Sequence, residues 1–329
     1  MAIVLNILWL LVGFVLLIKG ADFFVDGSSS LARKLKIPSL VVGLTIVALG
    51  TSCPELAVSV SSSLSGANSM AVGNVVGSNL FNLLVVLGVC AAITPVMVSK
   101  DVIKRDYPVS VGVMVVFGVL LLIGSQSYTL GRIEAAILLA LLIGYMIWTV
   151  SAALKDRKNA AEEESAEKFV WWKCALFIIG GAAGIVFGGT LVVNNAESLC
   201  CDTLGMSETL VGLTVCAIGT SLPELVTSVV AARKGESDMA IGNVVGSNIL
   251  NVICILGVSG LISPIDVSME NPMNILIDIG IFLVTAILCY IFCLNKKITR
   301  AEGVVLVLIY VAYMAYAVLR EPTIQAMFA

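Results

Sequence analysis

Apolar runs of 18 or more residues recur along this chain of 329 residues, separated by short polar breaks. Each run is long enough to cross a hydrocarbon core of roughly 30 Å as a helix. Composition agrees: 59% of the residues are hydrophobic and only 12% charged, about half the roughly 25% charged share of a typical globular domain. The mean hydropathy is +1.06. The chain is therefore expected to be an all-α polytopic membrane protein. A nucleic-acid binder, a secreted disulfide scaffold and a soluble enzyme are excluded.

Apolar runs and their breaks predict ten transmembrane helices, near 3–24, 38–62, 70–94, 107–124, 131–152, 171–195, 207–231, 239–262, 273–294 and 301–319. The stretch from Ile3 to Ile18 has no basic residue before it and no small-residue cleavage site after it, so it reads as a retained span. The one long polar segment, 154–168 (LKDRKNAAEEESAEK), divides the chain into halves of five spans, 1–153 and 169–329. Of 19 basic residues, 16 fall in the loops after spans one, three, seven and nine and around the central linker, whereas Arg132 and Arg320 fall on the other side. The positive-inside rule then places the linker in the cytoplasm and both termini outside, in a plasma membrane.

The halves repeat one another. Residues 42–59, VGLTIVALGTSCPELAVS, and 211–228, VGLTVCAIGTSLPELVTS, match at 12 of 18 positions. Residues 70–82, MAVGNVVGSNLFN, and 239–251, MAIGNVVGSNILN, match at 10 of 13, and both pairs lie 169 residues apart. With five spans per unit, an odd number, the two copies enter the membrane from opposite sides. Two inverted-topology five-helix repeats are the architecture of many secondary transporters, with the substrate near the midplane.

The repeated segments concentrate oxygen at membrane depth. Thr51, Ser52 and Glu55 share one helical face, as do Thr220, Ser221 and Glu224. Ser78 and Asn82, and their twins Ser247 and Asn251, are spaced by four, with Asn74 and Asn243 a turn earlier. An ionised carboxylate at the bilayer centre costs at least ~2.5–3.5 kcal/mol, so Glu55 and Glu224 need a compensating charge. Their spans offer no Lys or Arg at matching depth. A bound cation supplies that charge, and hard oxygens suit Ca²⁺ or Na⁺. Pro54 and Pro223 each lack an N–H and are expected to kink their helices, freeing carbonyls near Gly50 and Gly219. A lone membrane proline or GxxxG usually serves packing; the duplication sets these apart. Asp278 has no twin and fits helix pairing as well as function.

Other chemistry is missing from the chain. It has no histidine, which excludes HExxH zinc sites, Ser-His nucleophiles and imidazole-bound haem. None of its nine cysteines forms a CxxC, so neither a metal cluster nor a required disulfide is expected. No cofactor and no enzymatic activity are read, and no obligatory protein partner; the expected partners are ions and the lipid bilayer.

GTSCPEL and GTSLPEL, each followed by GNVVGSN, resemble the two alpha repeats of the calcium/cation antiporter superfamily, in particular the prokaryotic sodium/calcium exchangers. The resemblance covers the ten-span organisation and about 60 residues of close motif. It implies electrogenic exchange of Na⁺ for Ca²⁺ by alternating access. Carried over by position, the ion ligands are Ala48, Thr51, Ser52, Glu55, Ser78 and Asn82, with Ala217, Thr220, Ser221, Glu224, Ser247 and Asn251. Ala48 and Ala217 contribute backbone carbonyls only. Some relatives carry aspartate at one position matching Asn82 or Asn251; here both are neutral, so the likeness to potassium-dependent exchangers is weaker. Two rival functions use the same glutamates: H⁺/Ca²⁺ antiport, with protons discharging them, and a Ca²⁺-permeable channel that uses them as a filter.

Overall fold

In the computed structural model, which describes residues 2–124, 128–159, 170–200, 217–268 and 272–320, the apolar runs are helices. The first half contains α1 (Ala2–Leu35), α2 (Ser39–Thr51), α3 (Cys53–Leu64), α4 (Met70–Ile93), α5 (Val102–Ile123) and α6 (Arg132–Asn159). The second contains α7 (Trp171–Ser198), α8 (Leu222–Arg233), α9 (Ser237–Ile262), α10 (Pro272–Leu294) and α11 (Arg300–Leu319). A short helical turn, Ala217–Thr220, precedes α8. Among the described residues eight helices are long and apolar enough to span a membrane, or nine if α2 and α3 form one bent span. The expected seventh span, 207–231, is described only from residue 217; its earlier part lies outside the described residues.

Three boundaries differ from expectation, one of them the start of α5, which begins at Val102 rather than at 107. α1 does not stop at 24 but continues to Leu35, 34 residues in all, about 50 Å at 1.5 Å per residue. Asp22 and Asp26, which mark a polar end in the sequence, are met there by Lys234, whose Nζ lies 3.4 Å from Asp22 and 2.8 Å from Asp26. α6 likewise runs past 152 to Asn159, because Ala, Leu, Lys and Arg all favour helix.

α4 and α9 are the centre of the bundle. In the apolar stretch of α9, 78% of residues are buried, against 17% in α1. α9 packs on α2 through its glycines: a Cβ at Gly242 would stand 2.8 Å from the Leu40 carbonyl, and one at Gly246 2.7 Å from the Leu44 Cα. α1 and α7 pair antiparallel along a second glycine seam, where a Cβ at Gly20 would lie 2.7 Å from the Ile185 nitrogen. Small residues of this kind let membrane helices approach closely where no hydrophobic force drives them together.

The loops are tied across the halves. Strand β1 (Val96–Met97) pairs antiparallel with β4 (Lys297–Ile298), Val96 opposite Ile298. β2 (Thr129–Leu130) pairs antiparallel with β3 (Ile265–Asp266), Thr129 opposite Asp266. After β4, Thr299 opens α11 with a capping box, its side chain on the Glu302 N–H and the Glu302 carboxylate on its own.

Candidate cation site

The polypeptide breaks where the prolines lie. α2 and α3 meet at Ser52 with a bend of 48°, since Pro54, in the first turn of α3, has no N–H to give to the preceding turn. Leu222 and Pro223 open α8 after the same kind of break at Ser221. Each break creates a helix start, and Glu55 and Glu224 stand in those first turns. The positive end of a helix dipole therefore lies beside each carboxylate, worth ~0.3–1 kcal/mol and up to ~2 kcal/mol where partly buried. Ser52 N–H bonds the Ala48 carbonyl at 3.0 Å, and Ser221 N–H bonds the Ile218 carbonyl at 3.2 Å. The Ala48 carbonyl also lies 3.3 Å from the Thr51 hydroxyl.

The side chains interlock between halves in reciprocal pairs. Ser221 Oγ lies 3.1 Å from Glu55 Oε1 and 3.1 Å from Ser78 Oγ. Ser52 Oγ lies 2.9 Å from Glu224 Oε1 and 3.2 Å from Ser247 Oγ. Each serine has one proton, so it donates to the carboxylate of the opposite half and accepts from the neighbouring serine. Thr220 also faces Glu55, and Thr51 and Ser247 face Glu224. Both glutamates are fully buried, and they are close enough for the charges to repel.

The second oxygen of each carboxylate, Oε2, is buried with no hydrogen-bond partner among the described residues. The same holds for Asn251 Oδ1, Thr220 Oγ1 and both amide atoms of Asn82. None of the ion pairs among the described residues includes either glutamate. Buried polar atoms left bare cost about 1–3 kcal/mol each, more when charged, and two unpaired carboxylates in low dielectric repel strongly. A cation among these oxygens removes both penalties. The donor set is two carboxylates plus neutral hydroxyl and amide oxygens, which suits a hard ion.

Of the expected site residues, Ser221, Glu55 and Ser78 are thus joined in one hydrogen-bonded group, and Ser52, Glu224 and Ser247 in its counterpart, which Thr51 joins through Asn243. Asn82 and Asn251 lie one helical turn past Ser78 and Ser247, where each opens a stretch of wider, i+5-bonded helix, Asn82–Val86 and Asn251–Leu256. Such bulges recur at functional sites. Cys53 turns away, its Sγ 3.3 Å from the Leu49 carbonyl.

Four asparagines outside the expected set brace it. Asn74 Nδ2 bridges the Glu55 carbonyl at 3.2 Å and Ser59 Oγ at 3.0 Å. Asn243 Nδ2 does the same for the Glu224 carbonyl (3.4 Å) and Ser228 Oγ (2.9 Å), and its Oδ1 lies 3.1 Å from Thr51 Oγ1. Asn79 and Asn248, adjacent to the repeated serines, link α4 to α9. Their signal in the sequence is the doubled GSN, but they sit off the Ser78–Asn82 face and the spacing alone gives them no role. Asp278, ambiguous in the sequence, is held by Arg320, with Nη1 2.9 Å from Oδ1.

The chain is similar to known proteins along nearly its whole length. The sodium/calcium exchanger protein family profile matches the chain twice, at residues 5–151 and 173–319. The sodium/calcium exchanger MaX1 of Methanosarcina acetivorans is 34% identical, over 95% of this chain and 98% of its own. The putative antiporter CaxA of Alkalimonas amylolytica is 37% identical, over 93% and 96%. A solved structure of the sodium-calcium exchanger NCX_Mj, soaked with Na⁺ and Sr²⁺, superposes with a TM-score of 0.82 at 31% identity, covering 97% of this chain and all of that one. A twice-matched profile, relatives aligned end to end and a shared bundle all place this integral membrane protein in the sodium/calcium exchanger family, a family of cation antiporters.

Proposed function

We propose that this protein exchanges Na⁺ for Ca²⁺ across the plasma membrane by alternating access, exporting Ca²⁺ with net movement of charge. The observation that carries the reading is the pair of buried carboxylates, Glu55 and Glu224, each bonded by a serine of the other half and each with a bare second oxygen. The inner shell is formed by Thr51, Ser52, Glu55, Ser78 and Asn82, their twins Thr220, Ser221, Glu224, Ser247 and Asn251, and the carbonyls of Ala48 and Ala217. One Ca²⁺ neutralises its two charges, as do two Na⁺. The surplus of neutral oxygens leaves room for a further Na⁺, whose charge couples the cycle to voltage at ~2.3 kcal/mol per 100 mV.

In this reading the chain has ten spans, two inverted five-helix repeats at 1–153 and 169–329, and a cytoplasmic linker at 154–168, with both termini outside. Support comes from the loop pairings. β1 with β4 joins the loops after the third and ninth spans, and β2 with β3 those after the fourth and eighth. In both cases the inverted topology puts the two loops on one side. Ion coupling draws support from the relatives named for sodium and calcium.

The test is ⁴⁵Ca²⁺ uptake into proteoliposomes loaded with Na⁺, under potassium-valinomycin potentials of either sign, beside a pH gradient at zero Na⁺. Uptake that needs internal Na⁺ and changes rate with the sign of the potential is expected. Uptake driven by the pH gradient alone would assign H⁺/Ca²⁺ antiport, and uptake without any counter-ion gradient a channel.

A further inference from the structure

An asparagine in a cation site has a weakness that a carboxylate lacks. Rotating its amide by 180° replaces an oxygen with an NH₂ of the same shape, which repels the ion. Something must hold the oxygen on the ion's side. For Asn251 the structure contains such a device.

Asn79 Nδ2 donates to the main-chain carbonyl of Asn248 at 3.1 Å. A carbonyl only accepts, so this bond settles which way the Asn79 amide faces. Asn79 Oδ1 is thereby turned to Asn251, whose Nδ2 donates to it at 3.0 Å. The Asn251 NH₂ is held on the Asn79 side, and its Oδ1 is left buried and bare. Asn251 stands one turn past Ser247, which is joined through Ser52 to Glu224. Asn82, its twin, has neither amide atom bonded among the described residues, so the relay is made on one side only.

We propose that Asn79 is a positioning residue for ion selection: through the Asn248 carbonyl it orients the Asn251 amide oxygen toward the cation and disfavours a carboxylate at position 251. An aspartate there has no donor, and one of its oxygens would meet Asn79 Oδ1. Asn79 cannot turn its NH₂ to that oxygen without losing the Asn248 carbonyl. The residue thus keeps the charge of the inner shell at the two of Glu55 and Glu224. This inference rests on the cation-site reading of those glutamates.

Equilibrium ⁴⁵Ca²⁺ binding to purified full-length protein tests it, with the folded fraction followed by size exclusion. The arms are the unaltered protein, Asn79→Leu, Asn251→Asp and the double variant. Asn79→Leu is expected to weaken binding about ten-fold or more, the effect typical of a group that orients a metal ligand. Asn251→Asp should then recover binding in the Asn79→Leu background by a larger factor than any gain it gives alone, since either aspartate oxygen serves the ion. A lost fold would not reverse in this way. Unchanged binding in Asn79→Leu, or two substitutions whose effects simply multiply, would overturn the proposal. If Asn79→Leu yields no folded protein, Asn79→Ser takes its place under the same two criteria. An unaltered protein that binds no Ca²⁺ would instead overturn the cation-site reading, and this inference with it.

Discussion

Glu55 and Glu224 are fully buried acids with no cationic partner among the described residues. Asp22 and Asp26 meet Lys234, Asp106 meets Arg105 and Asp278 meets Arg320. Lys234 and Arg320 join their acids across helices, and Arg105 meets Asp106 within one helix; the two glutamates instead each accept from a serine of the opposite half and keep one oxygen bare. Replacing either by glutamine keeps the shape and the serine bond while removing the charge that a divalent ion needs. Glu55→Gln and Glu224→Gln are each expected to lower Ca²⁺ exchange at least about 100-fold, the upper end of what even an orienting group costs. Flux in proteoliposomes reads the loss, and size exclusion should show a normal yield of folded protein. Exchange at the unaltered rate in either variant would remove that residue from the ligand set.

Helix breaks and glycine seams do the corresponding work among the elements. The 48° bend between α2 and α3 brings Ser52 and Glu55 to the start of a helix rather than its middle. The α1–α7 pair lies outside the candidate site and depends on close backbone approach. Gly20→Leu should push α1 off α7, because even a Cβ there stands 2.7 Å from backbone. Overpacking of this kind costs about 1–3 kcal/mol, and more where the backbone cannot yield. Gly144 on α6 has nothing within 4 Å of its Cβ direction, so Gly144→Leu should leave stability unchanged. Thermal unfolding in detergent compares the two, and equal melting points would argue against the seam as a determinant of the bundle.

For the whole molecule, residues from both halves lie near one another at one end of the bundle. Arg33, in the last turn of α1, lies 3.5 Å from Glu236, after α8, and the Lys34 ammonium sits 5.3 Å from the Trp171 ring at the start of α7. The proposed orientation puts these ends in the cytoplasm. A reporter fused at Ala160 should be active in the cytoplasm, and one fused after Ala329 only outside it. Activity of the Ala329 fusion in the cytoplasm would reverse the proposed orientation.

Much of this was legible in one dimension. Hydropathy is a local property, so the described spans fall close to where apolar runs predict them, and Pro54 bends its helix by its own missing N–H. The repeated GTSxPE and GNVVGSN segments mark the glutamates, serines and asparagines that come together in the candidate site. What local pattern could not contain is who meets whom across the halves. α1 outruns its apolar stretch because Lys234, some 208 residues further on, meets Asp26. Asp278 is paired by Arg320, 42 residues away. Asn74 and Asn243 prove to be braces, and the orientation of Asn251 depends on Asn79, 172 residues distant. Helical periodicity tells which residues share a face, but an amide or carboxylate acquires its role from the atoms opposite it, and those are set only when the two halves pack.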